Sequence, residues 1–357
     1  MNTSRLNRVI EGMKKHGLPC ILVSDIESLY YLTGRWIQPG ERMVALTVSQ
    51  SGDVCLFANR LFSQRPEAGL PLVEYDDTED CVAVLAKRLP EDLAVIGVDK
   101  CWPSHFLIRL MEARPGLRVK VGSAPVDEAR MLKDAEEIAA MRESSRLNDK
   151  VLAALIETVR EGDTEAGLGR RYVDIARSMG AAGYSFAPLI CFGPHCAEPH
   201  HDSDETPLKK GDAVIFDVGL DLNKAMSDMT RTVFFGEPTD EMKKVYELVR
   251  RANLAGKAAV KPGAPLRDID RAARSVIEEG GYGPFFTHRT GHNIGIGVHE
   301  PPDVSATSEA VARPGMIFSI EPGIYLPGKF GVRIEDLVVV TEEGCEVLNQ
   351  LEIPAFA

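Results

Sequence analysis

Two strand-turn-strand segments in the C-terminal half of the sequence carry acidic residues within otherwise apolar strands. The first spans residues 216–232 and has a polar turn at its middle. A turn centred between Leu222 and Asn223 would place Asp217 directly opposite Asp228, with their Cβ atoms about 4.5–5.5 Å apart. Like charges that face each other destabilise a sheet, so this pairing requires protonation, a surface position or a nearby cation.

The second hairpin repeats this arrangement closer to the C-terminus. A turn centred on Gly328 pairs Glu321 with Glu335, although a single β-bulge would slip this register. A solvated acidic hairpin without metal is the simplest alternative for either segment taken alone. Taken together, the four carboxylates favour a pair of divalent cations, which would balance their negative charge.

The histidines are clustered in the same half of the chain. Six of the eight lie between residues 195 and 299, namely His195, His200, His201, His288, His292 and His299. Each one alone is most simply a surface or satisfied core residue. Next to the acidic hairpins they suggest a metal site, since carboxylates combined with an imidazole suit Mn, Fe, Co or Zn better than Ca.

The arrangement of short apolar runs predicts two domains, as expected for 357 residues at about 150 residues per domain. Residues 1–128 alternate β-rich runs with helical stretches and are predicted to form an α/β domain. We expect its strands at 20–23, 43–48, 53–57, 94–98 and 117–121, with helices within 1–17 and at 78–88.

Residues 129–357 are predicted to form a second, α+β domain. Its helices are expected at 134–160 (with a break allowed), 164–179, 240–260 and 265–279, and its strands at 213–219, 230–235, 315–320 and 331–340.

Composition argues against several classes of partner. The chain has 41 Lys and Arg against 53 Asp and Glu, a net charge of −12, which opposes binding to nucleic acid and to anionic membrane surfaces. No apolar run approaches the roughly 18 residues needed to span a bilayer. The first residues have the spacing of an amphipathic helix, so we expect no export signal. Seven scattered cysteines without a C-x-x-C pair predict a cytoplasmic protein without a disulfide framework.

Four motifs together resemble the metal-binding signature of the Xaa-Pro peptidases, the prolidase and aminopeptidase P group of the pita-bread metallopeptidases. The motifs are Asp217 to Thr232, His288-Arg-Thr-Gly-His-Asn through His299-Glu-Pro-Pro, Ile320-Glu-Pro-Gly and Arg333-Ile-Glu-Asp. The preceding segment, with Tyr31-Leu-Thr-Gly, is similar to the creatinase-like domain of that group. The resemblance implies an α/β creatinase-like domain at 1–128, followed by a pita-bread catalytic domain at 129–357.

The resemblance also implies a ligand set for two divalent ions. Asp217 would bind one ion, Asp228 and Glu335 would bridge both, and His292 with Glu321 would bind the other. Manganese is the first expectation, and cobalt, iron and zinc accept the same ligands. Two such ions about 3.5–4 Å apart can share a water and lower its pKa, which provides a bridging hydroxide nucleophile.

The remaining roles carried over from the family concern catalysis and substrate. Glu321 would act as general base and then acid, and His299 would support the carbonyl oxygen of the scissile bond. His200 would contact substrate, His288 would lie near the leaving proline, and Arg333 would support the last carboxylate. The implied reaction is hydrolysis of the Xaa-Pro bond at the amino terminus of dipeptides or short peptides by a homodimeric enzyme.

One position departs from the family pattern, and two other functions stay open. Lys224-Ala225 stands where the family commonly has Gly-Tyr, which removes an aromatic side chain near the first hairpin. The alternatives are a hydrolase of the same fold acting on a non-peptide C–N bond, as creatinase does, and a non-catalytic binding module. Creatinase lacks the metal ligands and a binding module would be expected to have lost at least one, whereas all five are present here.

Overall fold

A computed structural model describes residues 1–352 and divides the chain after Arg130. The first unit comprises residues 1–130, and the second begins at Met131. The predicted domain boundary lies two residues before this division.

The first unit contains a six-stranded mixed sheet with helices α1 to α5. In sheet order β4-β3-β2-β1-β5-β6, the pairs β3/β4, β1/β5 and β5/β6 are parallel and the others antiparallel. The strands are β1 Cys20–Val23, β2 Ala45–Ser49, β3 Val54–Asn59, β4 Leu72–Tyr75, β5 Val95–Val98 and β6 Arg118–Val121. The helices are α1 Thr3–Lys15, α2 Ile26–Thr33, α3 Cys81–Arg88, α4 Ser104–Ala113 and α5 Ala124–Met131. All five predicted strands are present, and β4 is an addition.

Helix α1 shows how the sequence pattern produces the local structure. Its apolar residues fall on one face at helical spacing and are buried, namely Leu6, Val9, Ile10 and Met13. The side chain of Asn2 accepts the backbone N–H of Arg5 at 3.1 Å and so caps the first turn. The predicted amphipathic helix is therefore confirmed.

Four long helices build the second unit around its sheets. They are α6 Ala135–Glu157, α7 Glu165–Ser178, α8 Asp240–Ala259 and α9 Leu266–Glu279. Helix α6 begins with a capping box in which Asp134 and Glu137 each accept the other's backbone N–H. It runs unbroken for 23 residues, so the break that the sequence allowed is absent.

The strands of the second unit form four small antiparallel sheets. Their sheet orders are β11-β10-β7, β12-β9-β8, β14-β13-β15-β18-β19 and β16-β17. The strands are β7 Gly183–Tyr184, β8 Leu189–Phe192, β9 Ala213–Val218, β10 Leu220–Leu222, β11 Ala225–Met226, β12 Met229–Phe234, β13 Gly291–Asn293, β14 Glu300–Val304, β15 Ile317–Ile320, β16 Gly323–Leu326, β17 Phe330–Arg333, β18 Asp336–Val340 and β19 Cys345–Val347. Short 3₁₀ turns occupy Arg60–Phe62, Gly193–Ala197 and Gly283–Phe285.

The first acidic hairpin has a different register from the predicted one. Asp217 pairs with Thr230 and not with Asp228, so the predicted direct pairing of the two aspartates is wrong. The two-residue loop is Asn223-Lys224, and both residues have positive φ, 55° and 67°. Such a turn matches the right-handed twist of a hairpin. The turn centre therefore lies one residue further along the chain than predicted, and each residue pairs with a partner two positions further along. A shift of two positions leaves each side chain on its predicted face of the sheet.

The second acidic hairpin has the predicted register but is divided into two ladders. Gly323 pairs with Arg333 in one ladder, and Ile320 pairs with Asp336 in the other. Glu321 and Glu335 lie in the gap between the ladders, so the strand predicted over 331–340 is in fact two strands. The break arises because the Glu335 N–H donates to Thr230 at 3.0 Å and the Glu321 N–H donates to Thr290 at 2.8 Å.

Apolar clusters on either side of the sheets hold these strands in place. Helices α8 and α9 contribute Val249 and Ile277 to a cluster that also contains Ile215 and Val332. Helices α6 and α7 pack Tyr172 and other side chains against β8, β9 and β12. The acidic residues are therefore attached to strands whose backbones are fixed by packed cores.

The sequence predicted a chain without a disulfide framework and without a membrane-spanning run. All seven cysteines are free thiols. Among the helices of residues 1–352, none combines the length and the apolar character that a membrane span requires.

Candidate metal centre and its pocket

One pocket of the second unit, with a volume of about 820 Å³, collects every residue that the sequence singled out as a site residue. These residues are Asp217, Asp228, His292, Glu321, Glu335, His200, His288, His299 and Arg333. They come from β9, β13 and β17, from the breaks between β11 and β12, between β15 and β16 and between β17 and β18, and from three loops. The sequence therefore identified the lining of a single cavity from residues more than 130 positions apart.

Three side chains at the bottom of this pocket converge on one point. Asp228, His292 and Glu335 are buried, and one potential ligand atom from each lies within 4.8 Å of the others. Nε2 of His292 lies 3.7 Å from Asp228 and 3.5 Å from Glu321. Burial and the neighbouring His299 lower the pKa of His292 to about 3, so its imidazole is neutral and has a lone pair available.

The two outer carboxylates are held beside this group by hydrogen bonds. Asp217 accepts a hydrogen bond from Nη2 of Arg333 at 2.6 Å. Glu321 accepts one from the Ser319 hydroxyl at 3.1 Å. The structure thus groups all five predicted ligands, with three of them in the closest cluster and Asp217 and Glu321 at its sides.

Several carboxylate oxygens in the pocket lack a partner. Among the described residues, Oδ1 of Asp217, Oδ1 of Asp228 and Oε1 of Glu335 are buried and accept no hydrogen bond. The second oxygen of Glu335 accepts one from the Thr230 hydroxyl at 2.8 Å. Buried acceptors without donors are costly, and a hard divalent cation is the partner that suits them.

The shifted pKa values of the pocket carboxyl groups also favour a bound cation. Burial, then the charges of Glu335 and Asp217, raise the pKa of Asp228 well above its ordinary value. Burial, then Glu321, does the same to the pKa of Glu335. Burial also raises the pKa of Glu321 to about 7. A bound cation reverses this preference for the protonated forms, so the donor set, four carboxylates and one neutral imidazole, fits divalent metal ions.

Tyr325 is a buried residue that contacts two residues of the pocket lining and that the sequence did not single out. Its hydroxyl lies 2.7 Å from Nε2 of His288 and 2.9 Å from Nη1 of Arg333. A Cβ at Gly323 would clash with this ring, so the glycine is needed for the close approach. The sequence feature that could have revealed Tyr325 is the alternation of side chains along a strand, because this alternation places Tyr325 on the same face as Glu321.

His288 is neutral and both of its ring nitrogens are engaged. Its Nδ1 lies 2.7 Å from the Arg289 carbonyl and must donate to it, so Nε2 accepts the Tyr325 hydroxyl. Burial and the positive charge of Arg333 lower the pKa of His288 to about 3. The ring therefore offers its carbon edge and face, and not a free nitrogen, to the pocket.

The two remaining histidines are exposed to the cavity. The ring of His299 lies edge-on to that of His292 with centroids 4.3 Å apart. Desolvation and the charge of Arg289 lower the pKa of His299 below its ordinary value. His200 lies in the loop after the 3₁₀ turn at Gly193–Ala197 and has an exposed side chain. Both imidazoles can reach a molecule bound in the pocket.

The Lys224-Ala225 departure lies in the hairpin turn. Nζ of Lys224 forms an ion pair of 2.6 Å with Asp221. Ala225 is buried in an apolar cluster with Met141 and Leu337. Neither residue belongs to the pocket lining.

Comparisons with known proteins agree with this geometry. Residues 139–342 match the model of metallopeptidase family M24, and residues 5–132 match the creatinase/prolidase N-terminal domain. A prolidase from Thermococcus sibiricus has 34% identity and a TM-score of 0.94, over 100% of this chain and 99% of its own.

Two further relatives span the same length. A dipeptidase from Pyrococcus horikoshii OT3 has 35% identity and a TM-score of 0.91, over 98% of both chains. An uncharacterized peptidase of Staphylococcus aureus (strain USA300) is 33% identical over 356 residues, which cover 98% of this chain and 99% of the relative.

Proposed function

The chain belongs to metallopeptidase family M24 and begins with a creatinase/prolidase N-terminal domain, and from that premise we propose that it is an Xaa-Pro exopeptidase. The substrates would be dipeptides or short peptides with proline in the second position. The observation that carries the proposal is the convergence of Asp228, His292 and Glu335, with Asp217 and Glu321 beside them, in a pocket that also holds four further histidines.

The five converging residues would hold two divalent ions. The orphaned oxygens of Asp217, Asp228 and Glu335 support this assignment, as does the neutral state of His292. Bound divalent ions polarise a substrate carbonyl and lower the pKa of water towards neutrality. Manganese is the first expectation, with cobalt, iron and zinc as the other candidates.

Glu321 is the residue we assign to proton transfer. Its carboxylate borders the pocket and lies 3.5 Å from His292, so it would be within reach of a water held between the proposed ligands, as a group that accepts and returns a proton must be. It would take a proton from the attacking water and deliver it to the departing proline nitrogen. The Ser319 hydroxyl, 3.1 Å away, holds this side chain in orientation.

The histidines and Arg333 would position the substrate. His299 and His200 have exposed imidazoles, and we assign His299 to the scissile carbonyl and His200 to the remainder of the peptide. His288, with both nitrogens engaged, would pack its ring against the proline. Arg333 holds Asp217 at 2.6 Å and thereby supports one side of the ligand set.

An apolar pocket wall supports the preference for proline. Residues 186–189, Phe-Ala-Pro-Leu, line the same pocket. A tertiary proline nitrogen provides no N–H for recognition, so selection must depend on the shape and apolar surface around the ring. The wall and the ring of His288 provide such surface.

A panel of peptides of two to five residues, assayed with each of the four metals, tests the proposal. We expect hydrolysis of peptides with proline in the second position, and almost complete loss of turnover in Glu321→Gln. The matched control, Glu342→Gln, changes a carboxylate outside the pocket lining and should retain wild-type rates. Rapid turnover by Glu321→Gln would contradict the assignment of the proton-transfer residue.

The homodimer and the cytoplasmic location stay predictions. Light scattering of the purified protein measures the first directly, and a mass of one chain at assay concentration would refute it.

A further inference from the structure

A second group of potential ligands lies outside the pocket-bottom cluster. It comprises Glu165, His195, His201 and Asp204, each of which offers one ligand atom within 4.8 Å of the others. Glu165 is the first residue of α7, and the other three belong to the segment from the 3₁₀ turn at Gly193–Ala197 to Asp204. None of the predicted site residues belongs to this group.

Glu165 is the centre of the group. Its side chain is completely buried, and its two oxygens lie 2.9 Å from Nδ1 of His195 and 3.1 Å from Nε2 of His201. Each oxygen also accepts a backbone N–H, from Phe192 at 2.8 Å and from Asp204 at 3.1 Å. The carboxylate is therefore fixed in position and faces both imidazoles.

The two imidazoles are arranged as a pair. Their ring centroids are 4.0 Å apart and their planes differ by 32°, so that one nitrogen of each ring points to the same carboxylate. Neighbouring ligands of a tetrahedral zinc ion are roughly 3.3 Å apart, given bond lengths near 2.0–2.1 Å. The Nδ1–Oε1 distance of 2.9 Å and the Nε2–Oε2 distance of 3.1 Å, one to each oxygen of Glu165, are within a few tenths of an ångström of this value.

The surroundings of the group provide two further features of a metal site. Nδ1 of His201 lies 3.2 Å from the Glu198 carboxylate, and ligating histidines typically donate their second N–H to such a carboxylate. The side chain of His195 is 28% exposed, which gives an ion a route from solvent. Two imidazoles with two carboxylates are a donor set suited to zinc.

We propose that Glu165, His195, His201 and Asp204 form a separate binding site for a zinc-class divalent ion. An ion there would connect the beginning of α7 to the segment that contains His195 and His201. The site does not depend on the proposed peptidase activity, because its ligands are distinct from the five proposed ligands of the metal centre, although His201 also lines the pocket.

The competing explanation is a network of hydrogen bonds in which both imidazoles only donate to Glu165. Amide substitutions separate the two cases. Asn in place of His195 retains a donor near the position of Nδ1, and Gln in place of His201 retains one near Nε2, but neither provides an imidazole lone pair. The variant His195→Asn/His201→Gln therefore preserves the hydrogen bonds and removes two metal ligands.

Calorimetric titration of the chelator-treated full chain with Zn²⁺ is the test. We expect the variant to bind one ion fewer per chain than the wild type, or to bind that ion at least tenfold more weakly. The control His16→Gln/His105→Asn removes two imidazoles elsewhere and should leave the count unchanged. Equal counts in the wild type and in His195→Asn/His201→Gln would overturn the proposal.

A second experiment uses a protein with an altered pocket cluster, in order to distinguish Zn²⁺ binding at the proposed site from Zn²⁺ binding in the pocket. In Asp228→Asn/Glu335→Gln, in which the pocket cluster has lost two carboxylates, one Zn²⁺ should still bind and should give a tetrahedral spectrum when replaced by Co²⁺. Loss of that ion upon adding His195→Asn/His201→Gln supports the proposal. Absence of Zn²⁺ binding in a folded Asp228→Asn/Glu335→Gln protein would overturn it.

Discussion

The Tyr325 hydroxyl lies 2.7 Å from Nε2 of His288 and donates to it. This direction follows because Nδ1 of the same ring donates to the Arg289 carbonyl at 2.7 Å. Arg333 in turn donates to the tyrosine oxygen at 2.9 Å and to Asp217 at 2.6 Å. A chain of hydrogen bonds therefore connects a proposed metal ligand to the ring that we place against proline.

Removal of the Tyr325 hydroxyl should weaken this chain. In Tyr325→Phe, Nε2 of His288 loses its donor and one Arg333 N–H loses its acceptor, so the free energy of unfolding should fall by about 1–3 kcal/mol. Urea unfolding at neutral pH measures the change. The exposed residue Tyr184 provides the control, since Tyr184→Phe should be nearly neutral. Equal stabilities of the Tyr325 and Tyr184 variants would contradict the hydrogen-bond chain.

The low pKa of His288 predicts a dependence of stability on pH. Because this pKa is about 3 in the folded protein and near 6.5 in the unfolded chain, the unfolded state binds the extra proton between these values. Stability should therefore be lost as pH falls below about 6.5.

A His288→Gln variant isolates this contribution. Between pH 7.5 and pH 5 the wild type should lose about 2 kcal/mol more unfolding free energy than the variant, at 1.36 kcal/mol for each pH unit below 6.5. Denaturant unfolding at the two pH values provides the comparison. Identical pH dependence in both proteins would mean that His288 is not neutral in the folded state.

The ion pair between Lys133 and Glu300 should be important for stability. The two side chains are 3% and 5% exposed and 3.0 Å apart, and Glu300 also accepts the Gly297 N–H at 3.1 Å. Lys133→Met leaves a buried carboxylate without its cation and should cost roughly 3–5 kcal/mol.

Two comparisons check that interpretation. Lys133→Met/Glu300→Gln should recover a large part of the loss, because no unpaired charge is left. Arg250→Met breaks a pair whose side chains are 48% and 50% exposed, and it should cost less than about 1 kcal/mol. A similar loss in the Lys133 and Arg250 variants would refute the assignment of a buried, energetically coupled pair.

Metal removal should reveal the repulsion between the pocket carboxylates. After chelation, addition of Mn²⁺ at about 100 times its Kd should stabilise the wild type by about 2.7 kcal/mol for each ion bound. Asp228→Asn/Glu335→Gln should gain little, since two of the proposed ligands are neutral. Asp228→Asn should also be more stable than the wild type when both are free of metal, because the amide removes the cost of burying the Asp228 carboxyl group beside Glu335 and Asp217. Equal stabilisation of the wild type and of Asp228→Asn/Glu335→Gln by Mn²⁺ would show that the ion binds to other residues.

The predicted site residues lie together in one pocket, and they could be singled out because they include residue types that are costly to bury. Four carboxylates within or directly beside apolar strands, together with a group of histidines, have few explanations other than a shared cation. The residues that support them were harder to find. Tyr325 follows a strand pattern typical of core residues, and its role depends on the absence of a side chain at Gly323.

The errors in the fold have local physical causes. The register of the first hairpin depended on whether Lys224 could adopt positive φ, which is unusual for a lysine and is supported here by its backbone N–H bond to Asp221 at 2.8 Å. The break at Glu335 arises from a hydrogen bond to Thr230, a partner 105 residues away. Periodicity within one segment cannot reveal either effect.

Specificity for proline is the central claim, and one comparison tests it most directly. The kcat/KM values of the metal-loaded enzyme should be measured for Ala-Pro, Ala-Ala and acetyl-Ala-Pro under identical conditions. Loss of the ring methylenes alone should cost about 1–3 kcal/mol, or 10–200-fold, and misalignment of the bond should add to this. We therefore expect Ala-Pro to exceed Ala-Ala by at least tenfold and the acetylated peptide to be inert. Equal rates on Ala-Pro and Ala-Ala would contradict the assignment of an Xaa-Pro exopeptidase.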